Sequence, residues 1–383
     1  MSYDLYAAFR NASAEKLAAG KYGEYEIKDM AARIQLLAGA GVDNKEAAVN
    51  QYRGLVHPPP PRDDKGTASP SRYSSELIET AHKELSKLGL LKPNVPGLEM
   101  LPPGSAFLQF TFTIAKPYIS KDDDSLYVSD GVNPVHKDKV FRVPMAAASS
   151  WKGRMRWVAM HTRLILKRNE LKHEEFARER LRQTLLFGDE KGQEMERSRE
   201  FAAFLDAAKP DAVPLYRERL RQHFELRHDD PLPNHRGRLM YYPTYFDRID
   251  VEVINPHSRE TKAGTLPIYL ESVPAGATGV FSLLYVPFDC IGQDEAKTRA
   301  EVAADLPLVA EALQAMLTTY GFGAKTSSGF GTVRLALAQT GRLHVHGRAT
   351  PYQFHALAKL ADRTSLVAAA RGAARDIAQE VTA

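Results

Sequence analysis

Gly321, Gly323, Gly329 and Gly331 bracket Lys325, Thr326, Ser327 and Ser328 in the run Tyr-Gly-Phe-Gly-Ala-Lys-Thr-Ser-Ser-Gly-Phe-Gly-Thr, from Tyr320 to Thr332. Glycine reaches positive φ and lacks the Cβ that holds a ligand away from the amides. Such a loop can therefore offer N–H groups, hydroxyls and an ammonium to an anion, and phosphate suits that donor set best. Two phosphate loops are excluded by spacing. A P-loop has glycine directly before its lysine and runs from strand to helix, whereas Ala324 precedes Lys325 and the periodicity here runs from helix to strand. The dinucleotide fingerprint fails because Lys325-Thr326 stands where its third glycine belongs. The same glycines would also serve a helix C-cap followed by a tight turn.

A second donor set is Ser149-Ser150-Trp151-Lys152-Gly153-Arg154-Met155-Arg156. With Ser149 and Ser150 as caps, this run opens a predicted helix, where free N–H groups and the helix dipole favour an anion. Lys152, Arg154 and Arg156 add cationic donors. Two such sites together suggest a polyanion, although a basic helix is also compatible with a solvated face. Asp122, Asp123 and Asp124 lie in a polar loop beside Lys121 and Ser125, and a solvated turn is the simpler reading of them. The histidines are dispersed, and His344-Val345-His346 has no third ligand nearby in sequence, so no resident metal or other cofactor is expected.

These segments need a scaffold. From Phe107 the hydrophobic period is two, with Leu108, Phe110, Phe112 and Ile114 on one face, which predicts a strand. A helix follows from Ser149, a charged helical insertion spans 189–235, and strand patterns return at 249–253, 266–270 and 280–286. A helix bearing Val302, Leu306, Val309, Leu313, Met316 and Leu317 leads into the glycine loop, and Val333, Leu335 and Leu337 form a closing strand. Without the insertions the order is strand, helix, strand, strand, helix, strand. This predicts an α+β fold with a modified ferredoxin-like, RRM-like core over residues 101–340. Residues 1–100 read as a helical N-terminal region with a Pro-rich linker at 57–72, in which Ser74 and Ser75 are candidate caps for the next helix. Residues 341–383 read as an Ala-rich helical tail.

The whole chain narrows the class. Its 383 residues are 44% hydrophobic and 26% charged, as in ordinary globular proteins, and the net charge is +4. Cys290 alone builds neither a disulfide framework nor a thiolate metal cluster, which predicts a reducing, cytoplasmic setting. Neither a signal peptide nor a membrane span is expected.

The Ser149-Ser150-Trp151-Lys152-Gly153-x-Met155-Arg156 element and the loop from Gly321 to Gly331 resemble the RAMP superfamily of CRISPR–Cas effector proteins. Ile249-Asp250-Val251-Glu252-Val253-Ile254-Asn255-Pro256-His257, followed by Pro267 to Val273, is similar to the sixth, filament-end subunit of the type III-B (Cmr) complex. The resemblance spans about Phe107 to Leu337. It implies a subunit of a type III interference complex for defence against foreign nucleic acid, partnered by crRNA, target RNA and other effector subunits. In this reading Ser149, Ser150, Lys152, Arg154, Arg156, Gly321, Gly323, Lys325, Thr326, Ser327, Ser328, Gly329 and Gly331 hold the guide by its phosphates. The alternative is an endoribonuclease. Cutting members of the family carry an aspartate after the first strand, where Asp122, Asp123 and Asp124 stand, and a divalent metal would then be needed. Similarity to an end subunit favours a non-catalytic role.

Overall fold

A computed structural model of the chain describes residues 9, 12–22, 25–38, 45–57, 70–120, 133–189, 201–227, 229–231, 234–255 and 267–360. Alternating apolar residues make Ala106–Lys116 the central strand, β1: Leu108, Phe110, Phe112 and Ile114 are buried, while Gln109, Thr111 and Thr113 are only half-buried. Besides four two-residue strands in the pairs Lys21–Tyr22 with Tyr25–Glu26 and Met145–Ala146 with Thr244–Tyr245, the other described strands are β2 (Leu239–Tyr241), β3 (Asp250–Ile254), β4 (Ile268–Ser272), β5 (Thr278–Tyr285), β6 (Thr332–Val333), β7 (Ala336–Val345) and β8 (Tyr352–Ala356). The main sheet has the order β8-β7-β1-β5-β2 with every neighbour antiparallel, and β6 pairs with the end of β1 beside β7.

The helices are α1 (Ala14–Ala19), α2 (Met30–Ala38), α3 (Lys45–Val56), α4 (Glu79–Lys87), α5 (Ala148–Met160), α6 (His173–Phe187), α7 (Phe201–Ala208), α8 (Val213–His223), α9 (Glu295–Ala315) and α10 (Leu357–Leu360). Helices α5 and α9 cover the apolar face of the sheet. Trp151 of α5 meets Phe281 (5.3 Å) and Phe112 (6.1 Å), and Leu306, Val309 and Ala310 of α9 line a small cavity with Leu108, Leu283 and Leu343. On the opposite face, Phe107 and Leu284 pack with Leu98 and Val286, and the Gln109 side-chain amide donates to Pro93 O (2.8 Å).

Three expectations from sequence are corrected. The second strand of the sheet is Leu239–Tyr241, which is too short to show a period, while the patterns near 249–253 and 266–270 pair with each other as the separate β3–β4 hairpin. Residues 341–356 are not helical, because β7 runs across the expected boundary and Tyr352–Ala356 pairs with it as β8; of the described tail only Leu357–Leu360, α10, is helix. Its alternation places Phe354 in the core and leaves Gln353 and His355 exposed, a period-two pattern. The rest of that tail and the run 58–69 of the Pro-rich linker lie outside the described residues. Ser74 and Ser75 do not cap their helix: the chain is already helical at Arg72, and Ser71 Oγ accepts the Ser74 N–H (3.2 Å).

The N-terminal helices share one hydrophobic core with the sheet. Polar bonds join them to the hairpin side: Tyr52 OH donates to Glu271, His57 Nδ1 bonds Asp250 (2.7 Å), and Tyr73 OH donates to Arg142 O (2.7 Å). The fully buried Lys137 ammonium also bonds Glu271. At the other end of the sheet, buried Arg238 bonds Asp289 and Asp305, Arg182 of α6 bonds Asp305 (2.6 Å), and His223 of α8 bonds Asp289 (2.9 Å). That network attaches the insertion helices to α9.

Candidate nucleic-acid interface

Helix α9 continues through a π turn, Met316–Tyr320, and stops at Gly321 with φ +65°. The chain then folds tightly back on itself. Phe322 N–H donates to Gly331 O (3.0 Å), Ala324 N–H to Ile119 O (2.6 Å), and Gly331 N–H to Pro117 O (2.8 Å). A Cβ at Gly331 would stand 1.9 Å from Phe322 O, and one at Gly323 would stand 2.3 Å from Ile119 O, so no other residue fits either place. These glycines therefore let backbone approach backbone and seat Phe322 in the core, where it meets Tyr118 (5.0 Å) and Phe112 (6.2 Å). With Ser328 N–H to Lys325 O and Gly329 N–H to Thr326 O, five of the loop amides bond within the chain.

What the loop presents outward is a single turn. Lys325 has φ +54°, and Thr326–Ser328 form a 3-10 turn closed by Ser328 N–H to Lys325 O (2.9 Å). Gly323, Lys325, Ser327 and Ser328 are exposed. A cation missed at the sequence level joins them. Thr332 pairs with Lys116 across β6 and β1, and the Lys116 Nζ lies 3.0 Å from where a Cβ on Gly329 would stand. Only strand register reveals this neighbour, since more than two hundred residues separate the two in sequence.

The second motif reaches the loop through Arg154. Its guanidinium donates to Gly321 O (2.7 Å), Tyr320 O (2.5 Å) and Thr326 Oγ1 (3.1 Å), which satisfies carbonyls at the end of the π turn. Burial draws the Arg154 guanidinium below its usual range, though an arginine remains charged. Trp151 anchors the helix start, its indole N–H donating to Thr244 Oγ1 (3.1 Å). Ser149 and Ser150 are exposed in the first turn, but neither caps it. The N-cap is Ala147, in extended conformation with no side-chain bond.

Arg156 and Lys152 turn elsewhere. Arg156 donates to the carbonyls of Gly188 and Asp189 just past α6, where a cation complements the helix C-terminus. Lys152 is half-buried; its ammonium pKa is drawn down first by burial, then by Arg156 and Arg236, while Asp189 opposes them. The structure thus brings Arg154, Thr326, Lys325 and Lys116 together and sets Lys152 and Arg156 beside the end of α6. Asp122, Asp123 and Asp124 lie outside the described residues. Among the described residues, no group of three histidine, cysteine or carboxylate side chains is arranged to hold a metal. Nor does any described helix have the length and apolar content to cross a membrane. Cys290 is buried, with its thiol pushed up to about 11 by that burial.

Hydroxyls and ammonium groups exposed on a turn are chemically able to contact phosphate without reading a base sequence. No curated protein matches the chain. Among solved structures, a chain of the type III-B Cmr-beta complex bound to cognate target RNA is 14% identical with TM-score 0.35. That match covers 70% of this chain and 66% of the other, just under two thirds of its length. Cmr6 from Pyrococcus furiosus is 17% identical with TM-score 0.29, over 60% of this chain and 97% of that one. A chain of a type IV-B CRISPR complex is 13% identical with TM-score 0.35, over 65% of this chain and 93% of that one. A family model covering more than half of the chain, residues 124–334, is that of the RAMP superfamily, and the chain belongs to that superfamily.

Proposed function

We propose that this chain is a non-catalytic RNA-binding subunit of a type III CRISPR effector complex, holding guide RNA by its phosphate backbone and packing against other effector subunits in the cytoplasm. The observation that carries the reading is the Arg154 clamp. One guanidinium joins the two motif segments into a unit whose outward groups are Lys325, Ser327 and Ser328, with Lys116 alongside. All of these groups donate hydrogen bonds, and none is an acid. The sheet order β7-β1-β5-β2, with α5 and α9 as the crossovers on one face, supports a modified ferredoxin-like core. In that arrangement the loop follows the second helix, and the Ser149 to Arg156 segment opens the first.

The test is binding of the purified chain to labelled single-stranded RNA across a salt series. Unaltered protein is compared with a Lys152→Ala, Lys325→Ala double variant, and each sample is run on a denaturing gel. Binding that falls steeply with salt, weakens in the double variant and leaves the RNA whole is the expected result. Cleaved RNA, or affinity indifferent to both lysines, would refute it.

A further inference from the structure

From Ala148 to Asn169 the chain carries six cations, Lys152, Arg154, Arg156, Arg163, Lys167 and Arg168, and no carboxylate. Two guanidinium clamps tie this stretch to α9 and its end. Arg154 holds Tyr320 O, and Arg163 Nη1 donates to Glu311 (2.9 Å). Nine residues separate the clamps on either segment, so they stand about 13 Å apart along the helices. Beside the second clamp a cavity of about 380 Å³ opens between α6 and the π turn His161–Ile165 that follows α5. Its walls are Arg163 and Lys167 on one side and Glu175, Arg178, Glu179 and Arg182 on the other, which by their spacing share one face of α6. The carboxylates are mostly engaged. Both Glu179 oxygens accept from Arg163 (2.7 and 3.2 Å), and Glu175 Oε2 accepts the Lys172 N–H (2.9 Å). The cations are not. Lys167 and Arg178 are exposed and their side chains bond nothing among the described residues, while Arg182 uses only Nη1, on Asp305 (2.6 Å) and near Glu301 (3.7 Å). One free oxygen of Glu175 therefore faces three cations with open donors.

We propose that this cavity seats a second phosphate of the RNA strand held at the Lys325 turn, with Lys167, Arg178 and Arg182 as its donors. This rests on the RNA-binding reading of the loop and adds to it a direction, along α5. A guanidinium fork suits phosphate and carboxylate alike, so the donors alone admit either an RNA strand or an acidic protein segment. The route between the sites favours the strand. A polyanion leaving the loop clamp for the cavity crosses α5 without meeting an acid of that helix, and each cation on the way attracts it.

The experiment measures the affinity of the full chain for single-stranded RNA oligomers of increasing length, each across a salt series. Unaltered protein is compared with Lys325→Ala, with a Lys167→Ala, Arg178→Ala double variant, and with a Lys83→Ala, Lys92→Ala variant that removes the same charge at exposed lysines on and just after α4. Because the Lys167 and Arg178 side chains support no other described group, the double variant should keep the thermal midpoint of the unaltered protein. Affinity should rise once an oligomer is long enough to span both sites. The double variant should lose that rise, bind the shortest oligomers like the unaltered protein, and flatten the salt slope for long ones by about 0.7 per phosphate released. Lys325→Ala should weaken binding at every length. The Lys83, Lys92 variant should keep the rise, and an equal loss there would reduce the effect to net charge and overturn the proposal. A double variant that matches the unaltered protein at every length, while Lys325→Ala weakens binding, would overturn the cavity site and leave the loop reading in place. Binding of an oligoglutamate peptide that needs Lys167 and Arg178, with RNA indifferent to both, would overturn it in favour of an acidic protein partner. Absence of RNA binding by the unaltered protein would overturn the loop reading and the cavity site with it.

Discussion

The indole of Trp151 and the phenyl ring of Phe322 lie 4.5 Å apart at 42°, and through this contact the start of α5 and the glycine loop share one piece of core. Both rings are buried, and Tyr118 stacks on Phe322, its hydroxyl pKa pushed up to about 12 by burial. The donor groups on the surface are thus placed by aromatic packing beneath them.

Phe322→Ala should therefore act on stability and binding together. Removing a buried phenyl ring costs about 3–5 kcal/mol, measured as a lower urea midpoint. RNA affinity should fall in the same variant, because the loop loses its anchor. Phe322→Leu should recover part of both.

Arg154 and Lys325 should separate cleanly. Lys325→Ala, at an exposed position, should change stability by no more than about 0.5 kcal/mol and flatten the salt dependence of RNA binding by roughly one phosphate contact. Arg154→Lys keeps the charge but cannot reach three acceptors, so a carbonyl at the end of the π turn loses its partner. A loss of about 1–3 kcal/mol is expected, read as a lower thermal midpoint as well as weaker binding.

The Arg238 network makes an acid-dependent prediction. Burial pushes the Asp289 carboxyl up, but bonds from Arg238 and His223 outweigh it and hold the group well below the usual carboxylate range. A carboxylate depressed in the folded state contributes stability that is complete above its unfolded pKa, about 3.9, and is lost as pH falls through its folded value. Asp289→Asn should cost about 3 kcal/mol at neutral pH. The gap between the variant and the unaltered protein should narrow progressively below about pH 4 in denaturation curves.

Lys137 tests whether the N-terminal helices belong to the same cooperative unit. Its ammonium and the Tyr52 hydroxyl both meet the buried Glu271 carboxylate. Lys137→Ala leaves that carboxylate short of its cation and should cost about 3–5 kcal/mol. Signals from the helices and from the sheet should shift to the same lower midpoint; two separate midpoints would show independent modules.

The main features legible in sequence were those with a strong local period or a short dense motif. The β1 alternation from Leu108 to Ile114, the apolar spacing of α9 and the glycine loop all stand where residue order placed them. The strands Leu239–Tyr241 and Tyr352–Ala356 are not legible in residue order, because three to five residues show too few alternations to stand out and such strands owe their existence to pairing partners.

Side-chain chemistry divides along the same line. Residue types alone marked a surface of glycines, hydroxyls and cations suited to an anion, because backbone freedom and charge are local properties. Tertiary structure alone decided which cation goes where. Arg154 bonds the loop, while Arg156, two positions on, turns to Gly188 and Asp189, since successive helical positions face different neighbours. It also decided that Gly323 and Gly331 face the chain's own carbonyls, and that Lys116 joins the loop through the register of β6 on β1. Contacts between residues far apart in sequence depend on how the elements pack, and that is a property of the whole fold.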